Sequence, residues 1–414
     1  MTNSAGIPGG TGAAAGGGSR PPRSRRRRLL RWVGLGMAFL VLAGAAAGWW
    51  LYNKLDGNIT EDTSAAAELR RYERERPAHF AGGAQNILLI GSDSRSGSDN
   101  ARYGQDQGTQ RSDTTILLHL PADRRSATAV SIPRDLMTRI PACLRTDGNR
   151  TEEQFAQFNW AFQWGGAACT IRTVENLTGI RVDHHMVIDF GGFKKMVDVI
   201  GGVEVCLRKP MADAEAKLRL PAGRQTLQGE QALGFVRARY SLGNGSDTER
   251  MERQQQFLGS LVKKVQSNGV LLNPARLYPL LDAATSSVTT DPGLASLRGL
   301  YELARGIRDI PTAQVMFLTV PRKPYAADPN RDELVEPDAA RLFRQLRMDL
   351  PVTVAPPPPT PEPEPEPLVT TGSAKVTGAA MAADPTDPAG SGTAPAPTPV
   401  PTFTGTTAGT TDCR

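Results

Sequence analysis

The amino-acid sequence predicts an α/β protein: a layered αβα domain on a central mixed β-sheet, preceded by one N-terminal transmembrane helix and flanked by disordered termini. Three observations carry that prediction. Short apolar runs rich in Ile, Val, Leu and Thr alternate with segments of helical periodicity. One long stretch near the N-terminus carries no charge. Both ends consist of small residues and Pro, with too few large apolar side chains to offset chain entropy on folding.

Residues 2–19 are almost wholly Gly, Ala, Ser and Thr, and seven arginines follow between Arg20 and Arg31. The next twenty-one residues, Trp32 to Tyr52, are uncharged; as a helix they span roughly 30 Å, the thickness of a bilayer core. The basic cluster holds residues 1–31 in the cytoplasm by the positive-inside rule, so everything after the 32–52 anchor is expected outside the cell membrane. Trp49, Trp50 and Tyr52 suit an aromatic belt at the outer interface. A cleaved signal peptide is the competing reading, because Ala45-Ala46-Ala47 resembles a cleavage site, but the apolar run continues to Leu51.

Residues 53–84 read as a stem. Glu61–Arg76 is a charged helix, polar nearly all round, of the kind that bridges rather than packs into a core. The folded domain is expected over residues 85–350. Its strands are Asn86–Ile90, Thr114–Leu120, Ala127–Ile132, His185–Phe190, Val203–Leu207 and Val315–Val320. Its helices are Thr170–Leu177, Phe193–Ile200, Gly229–Arg237, Thr248–Ser267, Leu294–Ile307 and Pro337–Arg347, with Gly179 and Gly201 as C-terminal stops. Strands buried on both faces among helices imply the layered architecture. Residues 351–414 form a Pro/Thr-rich tail, expected to be extended and dispensable for catalysis.

Of the four cysteines, Cys143, Cys169 and Cys206 fall in the domain and Cys413 is penultimate. No pair has metal-like spacing. Outside the cytoplasm one disulfide is the default, and Cys143–Cys169 is the choice, leaving Cys206 over. Small buried hydrophobes are the alternative.

Polar clusters break the apolar pattern at strand ends, where α/β sheets collect their ligand sites. Gly91-Ser92-Asp93-Ser94-Arg95 follows the first strand, Arg111-Ser112-Asp113-Thr114 precedes the second, and Pro133-Arg134-Asp135 follows the third. Local ion pairing and loop capping could account for any one of them. A fourth cluster runs from Arg237-Ala238-Arg239, where strand-like alternation puts both arginines on one face, to a helix starting near Asp247. Arg250 and Gln254 share the inward side of that helix with Phe257, Leu258 and Leu261, so its buried face begins polar. A helix N-terminus facing an anion has this pattern; an N-capping Asp247 and arginines paired with acidic neighbours are the bland alternative.

Guanidinium groups suit phosphate recognition. Aspartates among them suit it only if a cation lies between, and Mg²⁺ completed by phosphate oxygens resolves that conflict. No P-loop is present, and ATP is scarce outside the membrane, so a lipid-linked pyrophosphate is the natural ligand.

The stretches GSDSR (91–95), RSDTT (111–115), SIPRD (131–135), DFGGFKKMVDVIGGVEVCL (189–207), GEQALGFVRARY (229–240) and DTERMERQQQFL (247–258) resemble the LytR–CpsA–Psr (LCP) family, over Asn86 to about Gln266. The resemblance implies an αβα domain that holds a polyprenyl pyrophosphate, its tail in an apolar pocket. Asp93 and Asp113 would serve Mg²⁺ or Mn²⁺. Arg95, Arg111, Arg134, Arg237 and Arg239 would hold pyrophosphate, with Arg250, Arg253 and Gln254 nearby, and Asp93, Asp113 and Arg134 at the catalytic centre. The implied reaction moves a phospho-glycopolymer, teichoic-acid-like, capsular or another wall polymer, to a muramic acid hydroxyl of peptidoglycan. In one departure, Arg224 stands where some relatives carry Cys, which leaves Cys206 without that partner.

Two other functions compete. A membrane-bound transcriptional attenuator would need a nucleic-acid-binding motif, and about thirty cytoplasmic residues contain no helix-turn-helix or zinc-finger pattern; no nucleic-acid partner is expected. The arginine run, which dominates a net charge of +6, is explained by topology. A non-catalytic wall-binding protein would not need all the Asp–Arg clusters intact.

Overall fold

The computed structural model describes residues 23–80, 82–93, 112–145, 147–238, 247–267, 274–355, 402–410 and 413. In chain order the elements are α1 (Arg23–Gly57), β1 (Thr60–Glu61), α2 (Thr63–Arg71), β2 (Gln85–Ser92), β3 (Ser112–Leu120), β4 (Ala127–Ile132), β5 (Met137–Ile140) and β6 (Gln154–Gln157). Next come α3 (Trp160–Thr178), β7 (His184–Asp189), α4 (Phe190–Val199), β8 (Val203–Leu207), β9 (Met211–Asp213), β10 (Leu218–Leu220) and β11 (Gly223–Leu227). They are followed by α5 (Gly229–Arg237), α6 (Asp247–Gln266), α7 (Pro274–Thr285), β12 (Val288–Thr290) and α8 (Leu297–Arg308). The chain closes with β13 (Val315–Thr319), β14 (Arg322–Tyr325), β15 (Asp328–Leu334), α9 (Asp338–Arg347), β16 (Thr353–Ala355) and β17 (Thr402–Thr407). The disorder expected of residues 2–19 and of the proline-rich stretch falls outside the described residues.

The chain divides into two compact units, one ending at Lys54 and the other beginning at Leu55. The first is built on α1. It extends beyond the expected 32–52 at both ends, and among the described residues it is the one helix long and apolar enough to cross a membrane. Its Leu35, Phe39, Leu40, Trp49 and Trp50 are exposed, an apolar surface of the kind that lipid covers.

The second unit is built on a nine-stranded mixed sheet of order β1-β12-β7-β2-β3-β4-β13-β17-β16. Period-2 alternation splits the strands between two faces. Leu88, Ile90, Leu117 and Val130 pack with Ile171 and Val174 of α3 and with Leu342 and Phe343 of α9. Ile87, Ile116, Ala129 and Phe317 pack on the other face with Leu258 and Val262 of α6 and with Leu303 of α8. Each fully buried Leu, Ile or Phe stabilises this sandwich by about 1.5–3 kcal/mol. A separate apolar cluster lies among α4, α5, α6 and the β8–β11 region, centred on Phe235 and Phe257. All six expected strands and five of the six expected helices are present within a few residues of their predicted ends; the sixth, α3, begins at Trp160, ten residues before the expected Thr170, and breaks helical geometry at Gly165 and Gly166. Gly179 ends α3 in the left-handed conformation at φ 64°, as a C-terminal stop requires.

Three expectations are corrected. Segment 61–76 does pack into the core: α2 buries Ala65 and Leu69 against it, and Arg76 forks onto the buried Glu175 at 2.7–3.1 Å. A charged helix can do this because three small residues, Ala65 to Ala67, let it approach closely, and its buried Glu68 pairs with Arg71 at 3.2 Å and with Arg150 at 3.3 Å. The tail also joins the fold. β17 pairs antiparallel with β13 and parallel with β16, and Phe403 is buried in the core. Its alternating Thr-Phe-Thr pattern is that of a strand, placed between β13 and the edge strand β16 and hidden in a composition that otherwise reads as linker. Finally, Cys143 does bond Cys169, but Cys206 is not left over: it bonds Cys413. Arg224, at the position where some relatives carry Cys, lies directly across from Cys206 in the β8–β11 ladder.

Two predictions follow from this packing. Ending the chain after Ala355 removes β17, uncovers β13 and breaks the Cys206–Cys413 bond, so stability to denaturant should fall by at least about 3 kcal/mol; an unchanged unfolding midpoint would show that the tail is a passenger. The second concerns Asp62, the N-cap of α2, which accepts from Ala65 N at 2.9 Å and lies 3.4 Å from His185 Nε2. Burial pushes its carboxyl up, but His185, the Ala65 N–H and the Ser64 hydroxyl outweigh burial and hold it down at about 2. A value below that of the unfolded chain means stability that is complete above about pH 4 and lost as the pH falls. Asp62→Ala should therefore cost about 1 kcal/mol near neutral pH. That cost should shrink as urea melts are taken to lower pH.

Candidate active site

The central strands end together. In the sheet register Ser92, the last residue of β2, lies opposite both Asp189 of β7 and Ser112 of β3. Ile132, the last residue of β4, lies opposite Thr115 of β3. The ladder slips between Gly91 and Ser92, since Gly91 faces Thr114 and Ser92 faces Ser112. Asp113 is thus an extra residue in β3, a bulge, and bulges re-aim a side chain at the rim of a sheet. Asp93 follows Ser92 at the same rim.

The loop after β4 completes the arrangement. Leu136 N–H closes it on Pro133 O at 3.2 Å, and Asn159 N–H donates to Arg134 O at 3.0 Å, so a turn and the start of α3 hold its backbone. Arg134 then donates from Nη1 to Asp113 Oδ1 at 2.9 Å and from Nε to Asp135 Oδ2 at 3.1 Å. Both Arg134 and Asp113 keep a fifth or more of their side chains exposed.

Arg237 reaches the rim from another direction. It is the last residue of the α5 helix, not part of a strand, and its guanidinium lies 4.6 Å from the centre of the Phe190 ring. Phe190 directly follows β7. Asp189 caps α4 through Gly192 N at 2.7 Å, and a Cβ on Gly192 would come within 2.5 Å of Ser287 Cβ. The DFGG stretch is thereby explained: the acid caps, the ring carries an arginine, and the second glycine lets the helix start close to its neighbour.

α6 buries Arg250, Arg253 and Gln254, as its polar-to-apolar face predicts. Arg253 donates to Ala238 O and Gln254 to Val236 O at 3.1 Å, so both hold the end of α5, and with it Arg237, in place. Gln255, which sequence reasoning passed over, donates to Thr319 Oγ1 at 3.0 Å and ties α6 to the sheet. Arg95, Arg111 and Arg239 lie outside the described residues. The structure therefore brings together Asp93, Asp113, Arg134 and Arg237 around one sheet rim and gives Arg253 and Gln254 a supporting contact. Phe190 and Asp135 belong to the same rim; only the strand register reveals the first, and the Arg-Asp doublet hints at the second.

The donor chemistry of Asp93 and Asp113 fits a hard divalent cation: two carboxylates at the ends of adjoining strands, one oxygen already engaged by an arginine. The neighbouring guanidinium groups fit the oxygens of a phosphate.

Comparison with known proteins agrees with this architecture. The model of the LytR_cpsA_psr family matches residues 55–346. Cell wall biosynthesis protein LcpA of Corynebacterium glutamicum is 34% identical over 311 residues, covering 69% of this chain and 58% of that protein, so the match spans less than two thirds of the relative. The polyisoprenyl-teichoic acid–peptidoglycan teichoic acid transferase TagT of Bacillus subtilis is 27% identical over 300 residues, covering 69% of this chain and 86% of that one. Among solved structures, a LytR-Csp2A-Psr enzyme from Actinomyces oris has the same fold, with a TM-score of 0.51, 22% identity, and coverage of 66% of this chain and 93% of that chain.

Proposed function

The chain belongs to the LytR–CpsA–Psr family, and from that membership we propose that it transfers a phospho-glycopolymer from a polyprenyl-pyrophosphate carrier to a muramic acid hydroxyl of peptidoglycan. The observation that carries this reading is the meeting of Asp93, Asp113, Arg134 and Arg237 at one rim of the sheet. The hydroxyl oxygen bonds to the phosphorus that bears the polymer, the bond from that phosphorus to the carrier phosphate breaks, and polyprenyl phosphate leaves as the hydroxyl proton is lost.

In this reading Arg134 and Arg237 bind the two phosphates and offset the charge that builds on the leaving oxygen. Phe190 seats the Arg237 guanidinium, whose carbon lies 4.6 Å from the ring centre, and so helps to fix it at the rim. Asp93 and Asp113 would hold Mg²⁺ or Mn²⁺, which when bound supplies charge neutralisation at the phosphoryl oxygens. The apolar cluster of α4, α5 and α6 lies behind Arg237 and offers the side of the site where a polyprenyl chain would be sheltered. The orientation that suits the reaction places residues beyond Tyr52 outside the cell, with α1 as the single span.

Two measurements test this reading. With synthetic lipid-linked donor and peptidoglycan acceptor, Asp113→Asn and Arg237→Lys should each slow transfer roughly a hundredfold or more. Their melting temperatures should barely move, because a partly exposed pair such as Asp113–Arg134 contributes only about 0–1 kcal/mol. Chelation should abolish transfer, and Mg²⁺ or Mn²⁺ should restore it. Full activity of Asp113→Asn in a less stable protein would sink the assignment. For topology, protease added to intact spheroplasts should remove the folded domain and spare the N-terminal tail; protection of the domain would reverse the orientation.

A further inference from the structure

Arg134 is held by more than its own loop. The carboxylate of Asp135 grips Arg134 Nε at 3.1 Å through one oxygen. Its other oxygen, Oδ1, lies 3.6 Å from Nη1 of Arg331, on the β14–β15 hairpin. Arg331 is steadied in turn by Asp328, whose Oδ2 lies 3.5 Å from Arg331 Nε. Acid and base thus alternate from the rim outward: Asp113, Arg134, Asp135, Arg331, Asp328.

The hairpin that supplies Arg331 is fixed to the same loop. Asp332 N–H donates to Asp135 O at 3.1 Å, Leu136 and Asp332 form a parallel bridge, and Asp332 is paired with Arg322 on the partner strand. The far end of the hairpin rests on β6, where Tyr325 meets Phe155 at 6.1 Å. Arg331 is therefore presented to Asp135 from a hairpin held at both ends.

We propose that Arg331 is a positioning residue of the active site, acting on Arg134 through Asp135; this rests on the reading of Arg134 as a phosphate-binding group. Asp135 alone would be a second acid competing with phosphate for Arg134. A cation on its outer oxygen draws off part of that charge, so Asp135 orients Arg134 without neutralising it. An arginine also loses much rotamer freedom when fixed, and an acid already anchored on the far side is a better fixing point than a mobile one.

The test uses the full chain in detergent micelles with inorganic pyrophosphate as the probe. In Arg331→Ala the binding constant for pyrophosphate should weaken roughly threefold to thirtyfold. Arg331→Lys, which keeps the charge, should recover most of it. In an Asp135→Asn background Arg331→Ala should have no further effect, because the intermediary is gone. Equal loss in both backgrounds, or no loss in either, overturns the proposal. A second readout needs no ligand: the NMR order parameter of the Arg134 Nε–H should fall in Arg331→Ala, with the melting temperature nearly unchanged. If Arg134 loosens while the parent chain fails to bind pyrophosphate, the phosphate reading falls and the positioning role stands. If Arg134 stays as ordered as in the parent chain, the positioning role falls whatever the binding result.

Discussion

The candidate site depends on the register of three adjacent strands. Ser92 faces Asp189 on one side and Ser112 on the other, and the bulge beside it turns Asp113 toward Arg134. Side chains alternate with period two, so a slip of one residue in β3 would send Asp113 to the other face and leave Arg134 with Asp135 alone. The hydrophobic pattern forbids that slip. It would also exchange Ile116 and Leu117, which pack on opposite faces of the sheet. The apolar core and the charged rim are thus two consequences of one alignment.

Arginine–carboxylate pairs in this protein fall into two kinds, separated by burial. Arg76 and Glu175 keep only 9% and 2% of their side chains exposed, and Glu175 also accepts from Val182 N–H. Removing one partner there leaves an uncompensated buried charge, a loss of about 3–5 kcal/mol. The pairs at the rim are partly exposed to water and hold little of the fold together. Charges arranged with good geometry but little effect on stability are what a ligand site requires, because their interactions remain available to be exchanged for those of a substrate.

The C-terminal segment shows how composition can mislead. Segment 402–410 carries a strand, yet the segment before it is so rich in Pro and Thr that the whole tail reads as linker. The strand is stabilised by its neighbours: β13 offers a free edge, Phe403 finds a place in the core, and Cys413 finds Cys206. Isolated, six residues of Thr, Phe and Gly would not order. The same reasoning applies to segment 61–76, whose charges become acceptable once Glu175 is there to receive Arg76 and once Arg71 and Arg150 reach the buried Glu68.

Local chemistry alone determined much of this protein. The uncharged run that forms α1, the alternating strands that sandwich a core, the glycine stops and the polar clusters at strand ends all follow from side chains acting on their near neighbours in the chain. Tertiary structure alone decided which clusters meet. Arg237 comes to the rim because Phe190 lies beneath it, the end of α5 is held by Arg253, and Arg331 reaches Asp135 from a distant hairpin. Cys413 likewise pairs with a residue 207 positions earlier. The physical reason is that periodicity and propensity report what each segment prefers by itself, whereas an ion pair or a disulfide between distant segments forms only after the core has brought them within a few ångströms.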